Sequence, residues 1–422
     1  MSRPRIALIP SEAIRPKMAG IGIRYLELAR RLPALGVDVT LVTAGPVDEV
    51  PRERLDPTGT DVVGFERGRL GELTAGCGVV LAQGQLANDA VLEIGDRPVA
   101  IDLYDPFLVE NLAYVETLGL DPWRNDHATW VLQLSRGDFF LCSSEAQRRY
   151  YLGFLTALGR VNPYRIGDDP DLRRLIDIVP FGVPDELPPH RPYLDPPTAP
   201  ETRRLLFGGL YDWYDPWPVL EAVTAHPDEP WELLFIHNPN SGTPQALFHQ
   251  VEAWCRKRGL WDVRVRALDW VPGARRFDLL RDVDLVVSTH RASLETRLSL
   301  RTRFLEALAA GCPVVTTEGG AVSRLLIEYD AGWVVPEADA SAVATALRQA
   351  LRDEVSAGRR RAGARRLVEG FAWDQVLAPL VAFCRNPVID PTKDAFAFRP
   401  ETTAPPDPFV FRLRRRLRRL FA

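Results

Sequence analysis

Lysine is almost absent from this chain. Lys17, Lys257 and Lys393 are the only three in 422 residues, so 49 of the 52 basic residues are arginine. That bias points to a GC-rich bacterial genome more than to a function. Cysteine is sparse as well: Cys77, Cys142, Cys255, Cys312 and Cys384 are odd in number and scattered, with no Cys-x-x-Cys. Neither a disulfide framework nor a zinc ribbon follows, and buried thiols in a reducing cytosol are expected. No apolar run approaches the ~18 residues that a spanning helix needs. Met1 leads straight into a short strand without the apolar stretch of a signal peptide. The expectation is a cytoplasmic protein that touches the inner face of a membrane at most. An excess of basic charge is missing too, since the formal net charge is −4. The last thirteen residues hold six arginines and no acid, so residues 1–409 carry 46 basic against 56 acidic groups. A nucleic-acid-binding body is excluded on that balance.

What is present is a long series of short apolar runs separated by helical segments, the pattern of parallel sheets covered on both faces. At 422 residues, two or three domains are expected. Arg5–Ile9 reads as a strand, a loop with Gly20 and Gly22 follows, and Ile21, Tyr25, Leu28, Ala29 and Leu32 recur at helical spacing. The loop is not a dinucleotide fingerprint, because no third glycine stands in phase. It serves either as a plain turn or as a close approach to a ligand. Further strands are expected at 79–82, 99–101, 139–142 and 176–179. Asp102–Asp105 and Ser143–Arg148 follow strand ends, where α/β sheets bind ligands, although Ser143 and Ser144 read first as a helix cap. His127 lies in a polar interruption between helical segments. The proline-rich, patternless 188–200 stretch reads as a linker. A second α/β series follows, with strands at 204–207, 231–236, 263–265, 284–287, 314–316 and 332–335.

One stretch organises the second half. Asp284–His290 reads as a strand and its exit, 291–297 as a polar loop, Leu298–Gly311 as a helix with its turn, and Val314–Gly320 as a strand ending in a glycine pair. Arg297, Arg301, Arg303, Glu295 and Glu306 crowd the start of that helix. Cations there oppose the helix dipole unless an anion sits between them. Three arginines beside the Gly319-Gly320 turn therefore suggest a bound anion. The competing account is an i,i+3 pair between Arg303 and Glu306 plus solvated arginines, worth only ~0.3–0.5 kcal/mol. In the final residues, Leu413, Leu417, Leu420 and Phe421 share one face among the arginines of the 412–419 tail. The tail is either a basic amphipathic helix for anionic lipid or a solvated end.

The segments Arg5–Thr43, Ile178–Val183, Leu205–Leu210, Glu306–Gly320 and Ala331–Pro336, with Phe371–Trp373 and the helix after it, resemble glycosyltransferase family 4. The likeness spans roughly residues 5–385, and the Glu306–Gly320 run is the specific part. It implies a GT-B fold of two Rossmann-like parallel-sheet domains facing across a donor cleft. The domains are placed at residues 1–187 and 203–370, with a linker at 188–202, a crossover helix at 371–387 and a tail at 388–422. It also implies a retaining transferase that moves a sugar from a nucleoside diphosphate donor to a glycan or lipid-linked acceptor, as in bacterial polysaccharide and cell-envelope synthesis.

Carried onto this chain, Glu306 takes the ribose-binding position. Gly20, Gly22, Gly209, Thr302, Gly319 and Gly320 fall in donor-side segments, and His127 is the acceptor-side candidate. Two departures stand out. The family's first glutamate, eight residues before the second, is Leu298 here, so Glu295 is the substitute for holding the sugar. The arginine and lysine that hold the diphosphate after the first strand of the second domain are missing from Gly208–Asp215. Arg297, Arg301 and Arg303 are expected to replace them. No Asp-x-Asp segment stands in a metal-binding context, so neither metal nor cofactor is expected. The same departures keep open a catalytically silent GT-B partner subunit, and less strongly a nucleotide-sugar epimerase.

Overall fold

The computed structural model describes residues 3–197, 199–238 and 244–394. The basic 412–419 tail lies outside the described residues, and so does any membrane contact expected of it. Alternate residues of the short apolar runs leave a strand on opposite faces, and both faces of each sheet are buried. Ile6 and Leu8 join one apolar cluster while Ala7 and Ile9 join another. Leu205 and Phe207 part from Leu206 in the same way.

The first sheet contains β1 (Arg5–Ile9), β2 (Asp38–Thr43), β3 (Thr60–Gly64), β4 (Val79–Ala82), β5 (Val99–Asp102), β6 (Phe139–Cys142) and β7 (Ile176–Ile178). The second contains β8 (Arg203–Gly209), β9 (Trp231–Ile236), β10 (Val265–Leu268), β11 (Leu285–Ser288), β12 (Val314–Thr317) and β13 (Trp333–Val335). Their orders are 3-2-1-4-5-6-7 and 10-9-8-11-12-13, and each neighbouring pair is parallel. Both are doubly wound sheets whose strand order reverses beside the first strand.

Between the sheets, the proline-rich connection is tied to the second domain. Asp282 accepts from the Leu194 amide at 2.9 Å, and Asp278 accepts from the Arg191 amide at 3.0 Å. After the second sheet the chain returns to the first. Val183 donates its amide to Phe371 O at 2.8 Å, and Trp373 is fully buried with its ring 5.1 Å from Phe181. A Cβ on Gly182 would lie 2.4 Å from that indole, so only glycine admits it. The returning segment is divided into helices Trp373–Val376 and Ala378–Arg385, with Pro379 at the division. Among the described residues, no helix is long and apolar enough to cross a membrane.

Candidate active site

Ligands of open parallel sheets bind beyond the carboxyl ends of the strands, at the point where strand order reverses. In the second sheet that point lies between β8 and β11. β8 ends in a bulge at Gly208, whose φ of +88° is left-handed. A Cβ at Gly208 would sit 2.5 Å from Arg303 Nη1, so the position needs glycine for space as well. Arg303 fills that space, donating to Phe207 O at 2.7 Å. Its guanidinium lies 4.8 Å from the centre of the Tyr214 ring. Among the described residues, no carboxylate reaches Arg303 within ion-pairing distance.

Arg303 belongs to the helix Thr302–Ala309, which brings Thr302, Arg303 and Glu306 to the wall of a 210 Å³ cavity. Gly209 and Tyr211 line it from the end of β8, and Met18 and Gly20 close it from the first domain. Apart from Arg276 the remaining walls are mainly apolar, as in most small-molecule sites. Glu306 accepts from Arg276, which also reaches Glu27 of the first domain at 3.5 Å. Arg30, Arg31 and Arg54 surround Glu27 too. Burial opposes its charge, but Arg276 and these arginines outweigh burial and hold its carboxyl below the ordinary value. Tyr211 and Trp213 stack in parallel at 4.9 Å, and Trp213 meets Tyr114 of the first domain edge-on at 5.8 Å.

Beyond Arg303 the site continues into a buried polar cluster. The 291–297 stretch, expected as a loop, holds most of the helix Leu294–Leu298, because Ser293 caps it by accepting from the Thr296 amide at 3.0 Å. That turn buries Glu295, which accepts from Arg301 Nη2 at 2.7 Å and leaves Oε1 without a partner. Arg301 also faces the Tyr214 ring at 4.6 Å, so both arginines converge on one aromatic. His290, at the exit of β11, is 3% exposed, and neither ring nitrogen has a partner. Burial, and then the nearby Arg301, push its pKa down to about 3. Across the domain boundary, Asp105 and Glu110 are hydrogen-bonded, and Ser299 Oγ contacts Glu110 at 3.4 Å. Burial, followed by the Asp105 charge, raises the Glu110 carboxyl well above its ordinary value.

Sequence and structure place several residues differently. Gly22 does not face the cavity with a free amide, because Glu12 accepts from it at 2.7 Å and also accepts from the Ala19 amide. A Cβ on Gly22 would collide with Met18, so its smallness serves packing. His127 sits inside the helix Asp121–Arg136, exposed and stacked at 5.3 Å on Trp123, rather than in an interruption. Arg297 is exposed at the end of its short helix and does not line the cavity. Leu298 is buried in the apolar cluster of the first domain. Asp102, flagged with Asp105, is fully engaged by the buried Arg24 at 2.7 Å. Gly319 adopts φ +86°, and Gly320 behind it backs onto His290 and Thr296. His290, Arg276, Tyr214 and Glu110 were not picked out from sequence, since no motif links them.

Residues 219–353 match the family model described as glycosyl transferases group 1. A D-inositol 3-phosphate glycosyltransferase from Jonesia denitrificans is 29% identical over 192 residues, which span 44% of this chain and 43% of that relative. Sucrose-phosphate synthase from Thermosynechococcus elongatus superposes with a TM-score of 0.66 at 16% identity, covering 91% of this chain and 98% of that one. Anabaena Alr3699/HepE, solved in complex with UDP-glucose, gives 0.64 at 15% identity, covering 91% and 100%. The chain therefore has the GT-B fold of two Rossmann-like domains, and its second domain is similar to group 1 glycosyl transferases.

Proposed function

We propose that this protein is a retaining glycosyltransferase of family 4 type, moving a sugar from a nucleoside diphosphate donor to a glycan or lipid-linked acceptor. One observation carries the reading: a 210 Å³ cavity runs past Glu306 to Arg303, an arginine without a carboxylate partner among the described residues. A diphosphate leaving group develops negative charge that needs preplaced cations. Arg303 supplies one, Arg301 stands two residues before it, buried against Glu295 beyond the cavity, and Glu306 faces the ribose hydroxyls. Glu295 holds the sugar, and the acceptor approaches from the first domain. Closure of the domains excludes water, which would otherwise hydrolyse the donor. The arginines take the part a metal plays in other transferases, so turnover is expected to be unchanged by EDTA.

The test is calorimetric titration of the full chain with a panel of nucleoside diphosphates and their sugars, with slow donor hydrolysis followed in parallel. Binding of none of them would remove the transferase reading and leave the silent partner. That alternative has one observation in its favour, Leu298 standing buried where the family has a sugar-binding glutamate. The anomeric configuration of the product, read by NMR, decides retention.

A further inference from the structure

We propose that the second domain binds a phosphate group at a separate site, away from the donor cavity, among Arg360, Arg361, Arg365 and Trp333. The inference does not depend on the donor reading. The site is a 230 Å³ cavity walled by the 311–313 turn, by Ala331 and Trp333, and by the helix Glu354–Glu369. The turn leads into β12 and Ala331 into β13, so the cavity lies at the amino ends of these strands. The donor cavity lies beyond the carboxyl ends of the same sheet.

Ala357, Ala364 and Val368 line the cavity with the three arginines, at spacings that put all six along one side of the helix. No carboxylate lines it among the described residues. Arg365 has no acid within ion-pairing distance among them, and Arg361 reaches only Glu354, at 3.1 Å, whose side chain is 85% exposed. Arg360 is fixed in place. It donates to Gly332 O at 3.0 Å, and its guanidinium lies 4.5 Å from the centre of the Trp333 ring. Asp330 stands 4.0 Å from Arg360 but pairs with Arg359 at 2.6 Å. Burial pulls the Arg360 pKa below its ordinary value despite Asp330. Trp333 is 4% exposed, and its indole N–H has no partner. Buried donors are normally satisfied.

Arginines beside the carboxyl end of a helix often serve its carbonyls, and Thr302–Ala309 ends at this cavity. These three do not. The carbonyls of Glu306, Ala307 and Leu308 accept from the amides of Ala310, Cys312 and Gly311, and among the described residues none of the three arginines donates to that helix.

The lining fixes the class of ligand. Guanidinium and indole groups are donors without acceptors, so the occupant must be an anion rich in acceptors. A carboxylate presents its oxygens in one plane. A phosphate presents them around a tetrahedron and carries nearly two charges, which suits donors from a helix and from a strand. The group is either free phosphate or the phosphate of a small metabolite.

The experiment titrates the full chain by calorimetry with inorganic phosphate, glucose 1-phosphate and acetate, at constant ionic strength because salt screens exposed charges. Phosphate is expected to bind, and Arg303→Ala, in the donor cavity, should leave that affinity unchanged. The double variant Arg361→Ala, Arg365→Ala should weaken it by roughly tenfold or more. Both arginines are exposed, so a thermal melt near wild type will report a folded protein. Trp333→Phe keeps the ring, removes the N–H and should weaken binding by about fivefold. Tighter binding of glucose 1-phosphate than of phosphate assigns the site to a metabolite; equal or weaker binding assigns it to free phosphate. The site is refuted if neither phosphate binds, if acetate binds as tightly, if Arg303→Ala abolishes binding, or if affinity is unchanged in the double variant or in Trp333→Phe.

Discussion

Arg301 and Arg303 stand two positions apart, share one aromatic partner, and differ in what their loss would do. Arg301 is buried against Glu295, so Arg301→Ala strands a carboxylate in the boundary between domains. Breaking a buried pair from one side costs about 3–5 kcal/mol. Arg303 is held by the backbone carbonyls of Phe207 and Gly209 and by the Tyr214 ring, and lines the cavity. Arg303→Ala should therefore leave the thermal midpoint nearly unchanged while weakening nucleoside diphosphate affinity by roughly ten- to a hundredfold, the ~1.5–3 kcal/mol of a charged hydrogen bond. Calorimetry beside a thermal melt separates the two. Unchanged diphosphate affinity in both variants would remove the compensation for the missing arginine and lysine. At this scale the sequence was informative wherever one helix carried the pattern: Thr302, Arg303 and Glu306 all reach the cavity wall. It was silent on Arg276, His290 and Glu110, which come from separate elements and meet only through the fold.

Element by element, legibility followed burial. Apolar runs buried on both faces, such as Phe139–Cys142 and Val314–Thr317, stand out in the sequence. β3 does not, because Thr60–Gly64 is a half-buried edge strand with a threonine, an aspartate and a glycine among five residues. The helix Leu294–Leu298 was equally hidden, its polar composition reading as loop until the Ser293 cap is seen. That helix docks Leu298 into the first domain's core. Restoring a glutamate by Leu298→Glu should consequently not repair a donor site. It would bury an unpaired charge, and the expected outcome is a loss of several kcal/mol in urea denaturation and weaker donor binding. Leu298→Met, which conserves volume, should cost less than about 1.5 kcal/mol. Donor affinity gained by the glutamate variant would show that the position belongs to the sugar site after all.

For the whole molecule, a small set of contacts joins the two domains. Trp270 Nε1 donates to Met18 O at 3.3 Å, Gly273 donates its amide to Pro16 O at 3.0 Å, and Tyr104 hydroxyl donates to Leu300 O at 2.9 Å. Arg276 joins Glu306 to Glu27 across the same boundary. Acidic groups oppose this set: Asp105 and Glu110 from the first domain face Glu295 from the second, with Arg301 the nearby cation. The boundary tolerates them because Glu110 is hydrogen-bonded to Asp105, and burial and the Asp105 charge raise its carboxyl well above the ordinary value. A carboxyl whose folded pKa exceeds its unfolded value binds more protons when folded. Its contribution is fully present below about pH 4 and is lost as pH rises through the raised value. Glu110→Gln keeps a donor toward Asp105 and cannot ionise. The variant should therefore melt close to wild type at pH 5 and progressively above it toward pH 8. Thermal melts of both proteins across that range check the sign, and parallel curves would mean that Glu110 is not the group that carries the proton.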